Sequence, residues 1–236
     1  MARDAIWRSI AATLSAEIAA GSHRPGDKLP TEAELAARFG VNRHTVRHAL
    51  AAMTETGTVQ ARRGAGVFVT MVPTDYPLGR RVRFQQNVLA SGRSPSRRIL
   101  RMETRASTVI EAEALDLGAD AAVHLIEGVS FADDVPVALF RSIFPAARFS
   151  DLPQAMARLQ SITAALAEAG VPDYTRAATR LTATVADALQ ALPLQIAPGA
   201  SLLRSVTVNV DALGNRIEFG TTWFVGDRVT LTVTPD

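Results

Sequence analysis

Apolar residues open the chain at a spacing of four. Ile6, Ile10, Leu14 and Ile18, with Trp7 beside the first, form a stripe on one helix that Gly21 ends. Pro25-Gly26 turns the chain, and Thr31-Glu32-Ala33-Glu34 has the form of a capping box, in which hydroxyl and carboxylate each satisfy the other's backbone donor. This predicts a second helix that buries Leu35 and Phe39. Gly40 can take the left-handed conformation that stops it, and Asn42 can cap a third helix two residues later. Along that helix Val46, Ala49, Leu50 and Met53 share one face. Two helices across so short a turn predict a helix-turn-helix. After Gly57, Val59 and Ala61 alternate with polar residues, Arg62-Arg63-Gly64-Ala65-Gly66 makes a basic tip, and Val67-Phe68-Val69 returns as a strand, which is the pattern of a wing.

The core pattern of the third helix leaves Arg43, His44, Thr45, Arg47 and His48 outside, at the end that a recognition helix presents to base edges in the major groove. Arg43 is expected to read guanine through paired donors to O6 and N7. Arg47, one turn on, suits a base or a phosphate equally, and His44 and Thr45 suit a phosphate, a thymine methyl or a base edge. Thr31 at the start of the second helix, and Arg62, Arg63 and Gly66 in the wing, complete the expected contacts with a double-stranded DNA operator.

Residues 71–79 carry two prolines and a glycine and follow no helical or strand period, so they read as a linker between a DNA-binding domain over 1–70 and a second domain over 80–236. There the pattern predicts an extended stretch at Ser96–Arg101 and a helix at Thr108–Leu117. A hairpin follows from Val123–Phe131 to Val135–Phe144 about Asp133-Asp134, then helices at Asp151–Leu159 and Ser161–Ala169. Strands are expected at Thr175–Thr184, Leu202–Val210, Arg216–Phe224 and Arg228–Thr234. Hairpins separated by helices argue an α+β domain around an antiparallel sheet.

Charge divides the same way. Residues 1–72 hold nine basic and six acidic groups, 73–105 eight and two, and 106–236 eight and fifteen, so a basic front stands before an acidic back. The absence of cysteine excludes disulfides and thiolate metal sites, and four scattered histidines suggest no metal or cofactor. No apolar run reaches a membrane span and the start lacks a secretory signal's core, so a cytoplasmic protein is expected. No Ser/His/Asp spacing, phosphate loop or metal cluster points to an enzyme. Arg80, Arg81 and Arg83, followed by Phe84-Gln85-Gln86-Asn87, and Arg141 between Phe140 and Ser142, are instead groups able to hold an anion.

The run Leu29-Pro30-Thr31-Glu32-Ala33-Glu34-Leu35-Ala36, continued by Phe39-Gly40-Val41-Asn42-Arg43-His44-Thr45-Val46-Arg47-His48-Ala49-Leu50, resembles the winged helix of the GntR superfamily. Asn42 stands where serine is more usual, and either caps a helix. Residues 121–145 and 201–233, with Asp211–Phe219 and Gly226-Asp227-Arg228, resemble the UTRA effector domain of the HutC branch, whose fold is similar to chorismate lyase. Within that branch, Asp75-Tyr76-Pro77-Leu78 and Arg83-Phe84-Gln85-Gln86-Asn87 resemble the phosphonate-metabolism regulators.

The resemblance implies a homodimeric repressor released from a palindromic operator by a small anionic effector, a phosphonate or phosphate ester. A regulator answering an amino-sugar phosphate, an amino-acid derivative or a fatty acid is the alternative, and a lyase-like enzyme a remote one. The implied effector site takes Arg83, Phe84, Gln85 and Asn87 from a gripping loop, with Arg141 and Glu218. Ile126, Gly128 and Ser130 stand where many members carry arginines, and Phe219 where tyrosine is frequent, which removes one hydroxyl from the implied pocket.

Overall fold

In the computed structural model the chain is described over residues 2–62, 64–71, 73–79, 81 and 84–233, with side chains from residue 6 onward. It divides into two compact units, residues 1–72 and 73–236.

The first unit holds α1 (Ala2–Ala19), α2 (Glu32–Phe39), α3 (Arg43–Glu55) and the antiparallel strands β1 (Val59–Arg62) and β2 (Gly66–Val69). The four-residue spacing of α1 delivers Ile10 and Leu14 into a core with Leu35, Val46, Ala49, Leu50 and Met53, closed by Val59 and Val69 of the hairpin. The capping box at Thr31 is formed in full, with the Thr31 amide donating to Glu34 at 2.7 Å and the Glu34 amide to the Thr31 hydroxyl at 3.3 Å. Gly40 ends α2 at φ +64°, and the Asn42 side chain accepts from the Thr45 amide at 2.9 Å to start α3. Those two caps set the angle between the helices, because each fixes where one helix begins or stops.

The second unit is α+β. Its elements run β3 (Thr74–Pro77), α4 (Phe84–Ala90), β4 (Pro95–Ala106), α5 (Val109–Leu115), β5 (Ala122–Ala132), β6 (Val135–Pro145), α6 (Leu152–Leu159), α7 (Ile162–Glu168), β7 (Thr175–Val185), α8 (Ala188–Leu194), β8 (Ser201–Val210), β9 (Arg216–Val225) and β10 (Val229–Thr232). Six strands make one antiparallel sheet in the order β4-β5-β6-β9-β8-β7. One face packs under α6 and α7 through Phe140, Phe144, Phe149, Met156 and Leu166. The other is covered by α5, through Leu115 against Val123, Leu125 and Ile143, and by α8, through Leu194 and Ala191 against Val129 and Leu202.

Three expectations need correction. Residues 74–77, expected to lie in a linker, form β3, which pairs in parallel with β10, so that segment belongs to the second unit. Its two prolines disguise it: Pro73 precedes the strand and Pro77 closes it, positions at which a missing N–H costs a short edge strand little. The C-terminal strand, expected to continue the hairpins, leaves the large sheet to make that pair. Helix α8 goes unsignalled in the pattern because Pro193 interrupts a seven-residue segment, yet Asp187 and Gln190 cap it reciprocally.

The sheet is also a duplication. β4-α5-β5-β6 and β7-α8-β8-β9 repeat one unit, each helix opened by a capping box, at Thr108/Glu111 and Asp187/Gln190, and closed by a left-handed residue, Asp116 and Gln195. Arg97 pairs with Ser130 and Arg176 with Asn209; Gly128 pairs with Phe140 and Thr207 with Gly220. Arg141 and Thr221, equivalent in the two halves, pair with each other, so a local two-fold axis passes between them.

Replacing the fully buried Leu14 by alanine should cost the first unit about 2–5 kcal/mol in a urea titration. In the second unit Arg105 donates twice to Glu111, at 2.7 Å each, and those bonds hold the Glu111 carboxyl below its ordinary 4.5. A lowered folded pKa contributes stability above the unfolded value and loses it as pH falls. Unfolding titrations should therefore show the second unit weakening as pH drops below about 4.5, with Glu111→Gln flattening that part of the profile.

Candidate functional site

On α3, the side chains that the core pattern leaves outside are Arg43, His44 and Arg47, all exposed, with Thr45 half-buried. They are not equally free. Arg47 donates to Glu32 through Nε at 3.0 Å and Nη2 at 2.6 Å, a fork that ties α3 to the first turn of α2 and lowers the Glu32 pKa. The Thr45 hydroxyl is hydrogen-bonded to the Asn42 side chain at 3.0 Å, and the Thr31 hydroxyl donates to Glu34 at 2.7 Å. His48 stacks on Trp7 with ring centroids 4.4 Å apart. Arg43 stands at the first position of the helix, beside the positive end of its dipole.

In the hairpin, the Arg62 guanidinium lies 4.5 Å from the centroid of Phe68. Gly66 has φ +115°, a backbone region that favours glycine, and a Cβ there would also come within 2.7 Å of Lys28 Cε. Lys28 itself, which pattern reading passes over because it precedes the helix, joins the hairpin by a bridge to Phe68 and adds an exposed cation to its edge. Arg63 lies outside the described residues.

The second unit contains a cavity of about 80 Å³ on the α7 side of the sheet, lined by Tyr76, Phe84, Arg97, Phe140, Ser142, Ile162, Thr163, Tyr174, Arg176, Thr207, Asn209, Glu218, Gly220 and Thr222. Its position follows from topology, because Phe140, Ser142, Gly220 and Thr222 flank the local two-fold axis on one face and Arg97 and Arg176 are equivalent across it. The Arg97 guanidinium sits between the rings of Phe84 and Phe140, 5.1 and 5.0 Å from their centroids. Burial pulls its pKa down, but a guanidinium keeps its proton in a protein. Arg97 Nε and Arg176 Nη1 are sealed from solvent and have no hydrogen-bond partner among the described residues. Glu218 is buried and accepts from Asn209 Nδ2 at 2.7 Å, while Asn209 Oδ1 is buried and has no partner among the described residues. Burial raises the Tyr76 pKa.

Of the described residues expected at such a site, Phe84 and Glu218 line the cavity, and Gln85, Asn87 and Arg141 do not. Arg83 lies outside the described residues. Gln85 is exposed on α4, and the segment expected as a gripping loop is helical from Phe84 on. Asn87 lies beside the cavity, its amide donating to the Pro77 carbonyl at 3.4 Å. Arg141 is a correction. Strand alternation sends it to the face opposite Phe140 and Ser142, where it donates to Glu127 at 2.6 Å. Phe219 is a second correction. It packs against the cluster of Leu115, Val123, Leu125 and Ile143 rather than in the cavity, so a hydroxyl there would not enter the site.

Gly128 could carry no arginine, because any Cβ would meet the Arg98 carbonyl at 2.6 Å and the Phe140 ring at 2.8 Å. The cations come instead from the outer strands, as Arg97 and Arg176. Their equal places in the two halves, 79 residues apart (176 minus 97), with capping boxes at the same interval (187 minus 108), are the signal that finds them.

Among the described residues no cluster of histidine and acidic side chains is able to hold a metal ion, and no helix is long and apolar enough to cross a membrane.

Comparison with known proteins agrees with both units. The family model described as bacterial regulatory proteins, gntR family, matches residues 7–69, and that of the UTRA domain matches residues 90–230. An HTH-type transcriptional regulator of Rhizobium meliloti is 37% identical over 97% of this chain and 94% of its own length. The probable transcriptional regulator PhnF of Escherichia coli is 45% identical over 47% of this chain and 46% of its own. The crystal structure of PhnF from Mycobacterium smegmatis superposes with a TM-score of 0.68 at 26% identity, covering 100% of this chain and 99% of that one. The chain belongs to the gntR family of bacterial regulatory proteins, in the group that carries a UTRA domain behind the winged helix, and it is a transcription regulator rather than an enzyme.

Proposed function

We propose that the protein is a cytoplasmic repressor of phosphonate uptake or metabolism genes, which binds a palindromic operator as a homodimer and leaves it when a small anion enters the cavity of the second unit. The observation that carries the effector class is the pair of guanidinium groups, Arg97 and Arg176, whose buried donors lack a protein partner among the described residues. A phosphonate or phosphate oxygen accepts such donors in short, charge-assisted bonds. The resemblance of residues 75–78 and 83–87 to the phosphonate-metabolism regulators favours a phosphonate over a sugar phosphate, and the modest size of the cavity favours a short ligand.

On DNA, base recognition falls to Arg43 and His44 at the start of α3, with Thr31, Thr45, Arg62, Arg63 and Gly66 against the backbone and minor groove. Lys28 joins the wing contacts. The fork to Glu32 takes up Nε and Nη2 of Arg47 and offsets its charge, which leaves Nη1 to meet a phosphate and reduces its contribution. Two identical units reading half-sites one helical turn apart account for a palindromic operator. Effector binding acts by favouring the arrangement that does not fit the operator; a difference of a few kcal/mol suffices to empty it.

Titration of the full chain onto labelled DNA from upstream of its own gene tests this reading. Arg43→Ala should lower affinity about 5- to 150-fold and relax preference at one base pair of each half-site. Arg62→Ala should weaken binding to all sequences alike and reduce the dependence of log K on log salt by about 0.9 per half-site. Equal losses on specific and random DNA for both variants would remove the assignment of Arg43 as the base reader.

A further inference from the structure

The duplication of the sheet provides a comparison that the cavity does not offer by itself. Across the local two-fold axis Arg97 and Arg176 are alike, but the positions between them are not. Where the first half has Ala138, Ser130 and Gly128, the second has Glu218, Asn209 and Thr207; where the second has Gly220, the first has Phe140. One half of the cavity is therefore aromatic and small, and the other carries a carboxylate, an amide and a hydroxyl. Two like cations are combined with a strongly one-sided arrangement of acceptors.

Those acceptors are not occupied by the arginines. No ion pair within 4.0 Å joins Glu218 to Arg97 or Arg176 among the described residues, although all three line one cavity. Among the described residues Glu218, 7% exposed, receives one bond, from Asn209 Nδ2, and Asn209 Oδ1 receives none. A purely anionic ligand drawn to the guanidinium groups would bring its charge close to a buried carboxylate, and in a low-dielectric cavity that repulsion is large. A ligand with an ammonium group at its other end removes the repulsion and satisfies both acceptors.

We propose that the ligand is a short zwitterion, with a phosphonate or phosphate group held between Arg97 and Arg176 and a protonated amine held by Glu218 and Asn209. Short-chain aminoalkylphosphonates are the class that fits. The inference rests on the reading of this cavity as the effector site and narrows its ligand: Phe140 and Phe84 flank the anionic end, and the polar half of the sheet selects for the amine.

Isothermal titration of the full chain with ethylphosphonate, 2-aminoethylphosphonate, inorganic phosphate and 3-aminopropanoate tests it. The aminoethyl compound should bind at least about 10-fold tighter than ethylphosphonate, the worth of one charge-assisted bond. In Glu218→Gln that ratio should fall to about one, and Asn209→Ser, which leaves the carboxylate in place, should reduce it in part; thermal melting without ligand shows whether each variant is folded. Equal affinity for the two phosphonates, or a ratio that survives Glu218→Gln in folded protein, overturns the zwitterion and leaves an anionic effector standing. Binding of 3-aminopropanoate without either phosphonate overturns the phosphonate reading and keeps the two-ended ligand. Binding of none of the four overturns both.

Discussion

A guanidinium group sealed from water must find its hydrogen bonds within the protein or from a ligand, because its unmet donors cost free energy and its charge does not titrate away. One donor of each arginine, Arg97 Nε and Arg176 Nη1, is sealed in this way against the six-stranded sheet and has no partner among the described residues. Arg97 is fixed between two aromatic rings, and each arginine lies close to a register shift in its own strand, at Ile99/Arg101 and Arg176/Ala178. An irregular strand re-aims a side chain, which is how edge strands come to direct cations into the middle of a sheet face. The rest of the cavity can be understood as the answer to those two charges.

The first unit shows the same economy in smaller form. Its caps use a hydroxyl, a carboxylate and an amide oxygen locally, at Thr31, Glu34 and Asn42, and thereby hold α3 with its charged end outward. Arg47 and Glu32 add a fork between the two helices, at an exposed position where such a pair is worth little in stability but holds one cation in a defined place. Arg43 has no such tether among the described residues.

The winged helix is legible in the sequence because its signals are local: a spacing of four, a capping box, a glycine and an asparagine at the turn. Leu14, Val46 and Leu50 follow from periodicity alone. The second unit is legible as an α+β sheet for the same reason, through its hairpins. The cavity is not, since its residues come from β3, α4, α7 and five strands of the sheet, and what unites them is register. Alternation sends Arg141 and Phe140 to opposite faces, but which face holds the site depends on the helices that cover it. β3 escapes a local reading because its pairing partner lies at the far end of the chain.

Control of the first unit's grip on DNA by the second unit's ligand is tested most directly by the fluorescence anisotropy of labelled operator DNA, held by the full chain at modest salt, as an alkylphosphonate or aminoalkylphosphonate is added. Release at ligand concentrations that leave an Arg97→Met variant bound is the predicted result. Release from both proteins alike, or from neither at saturating ligand, would contradict it.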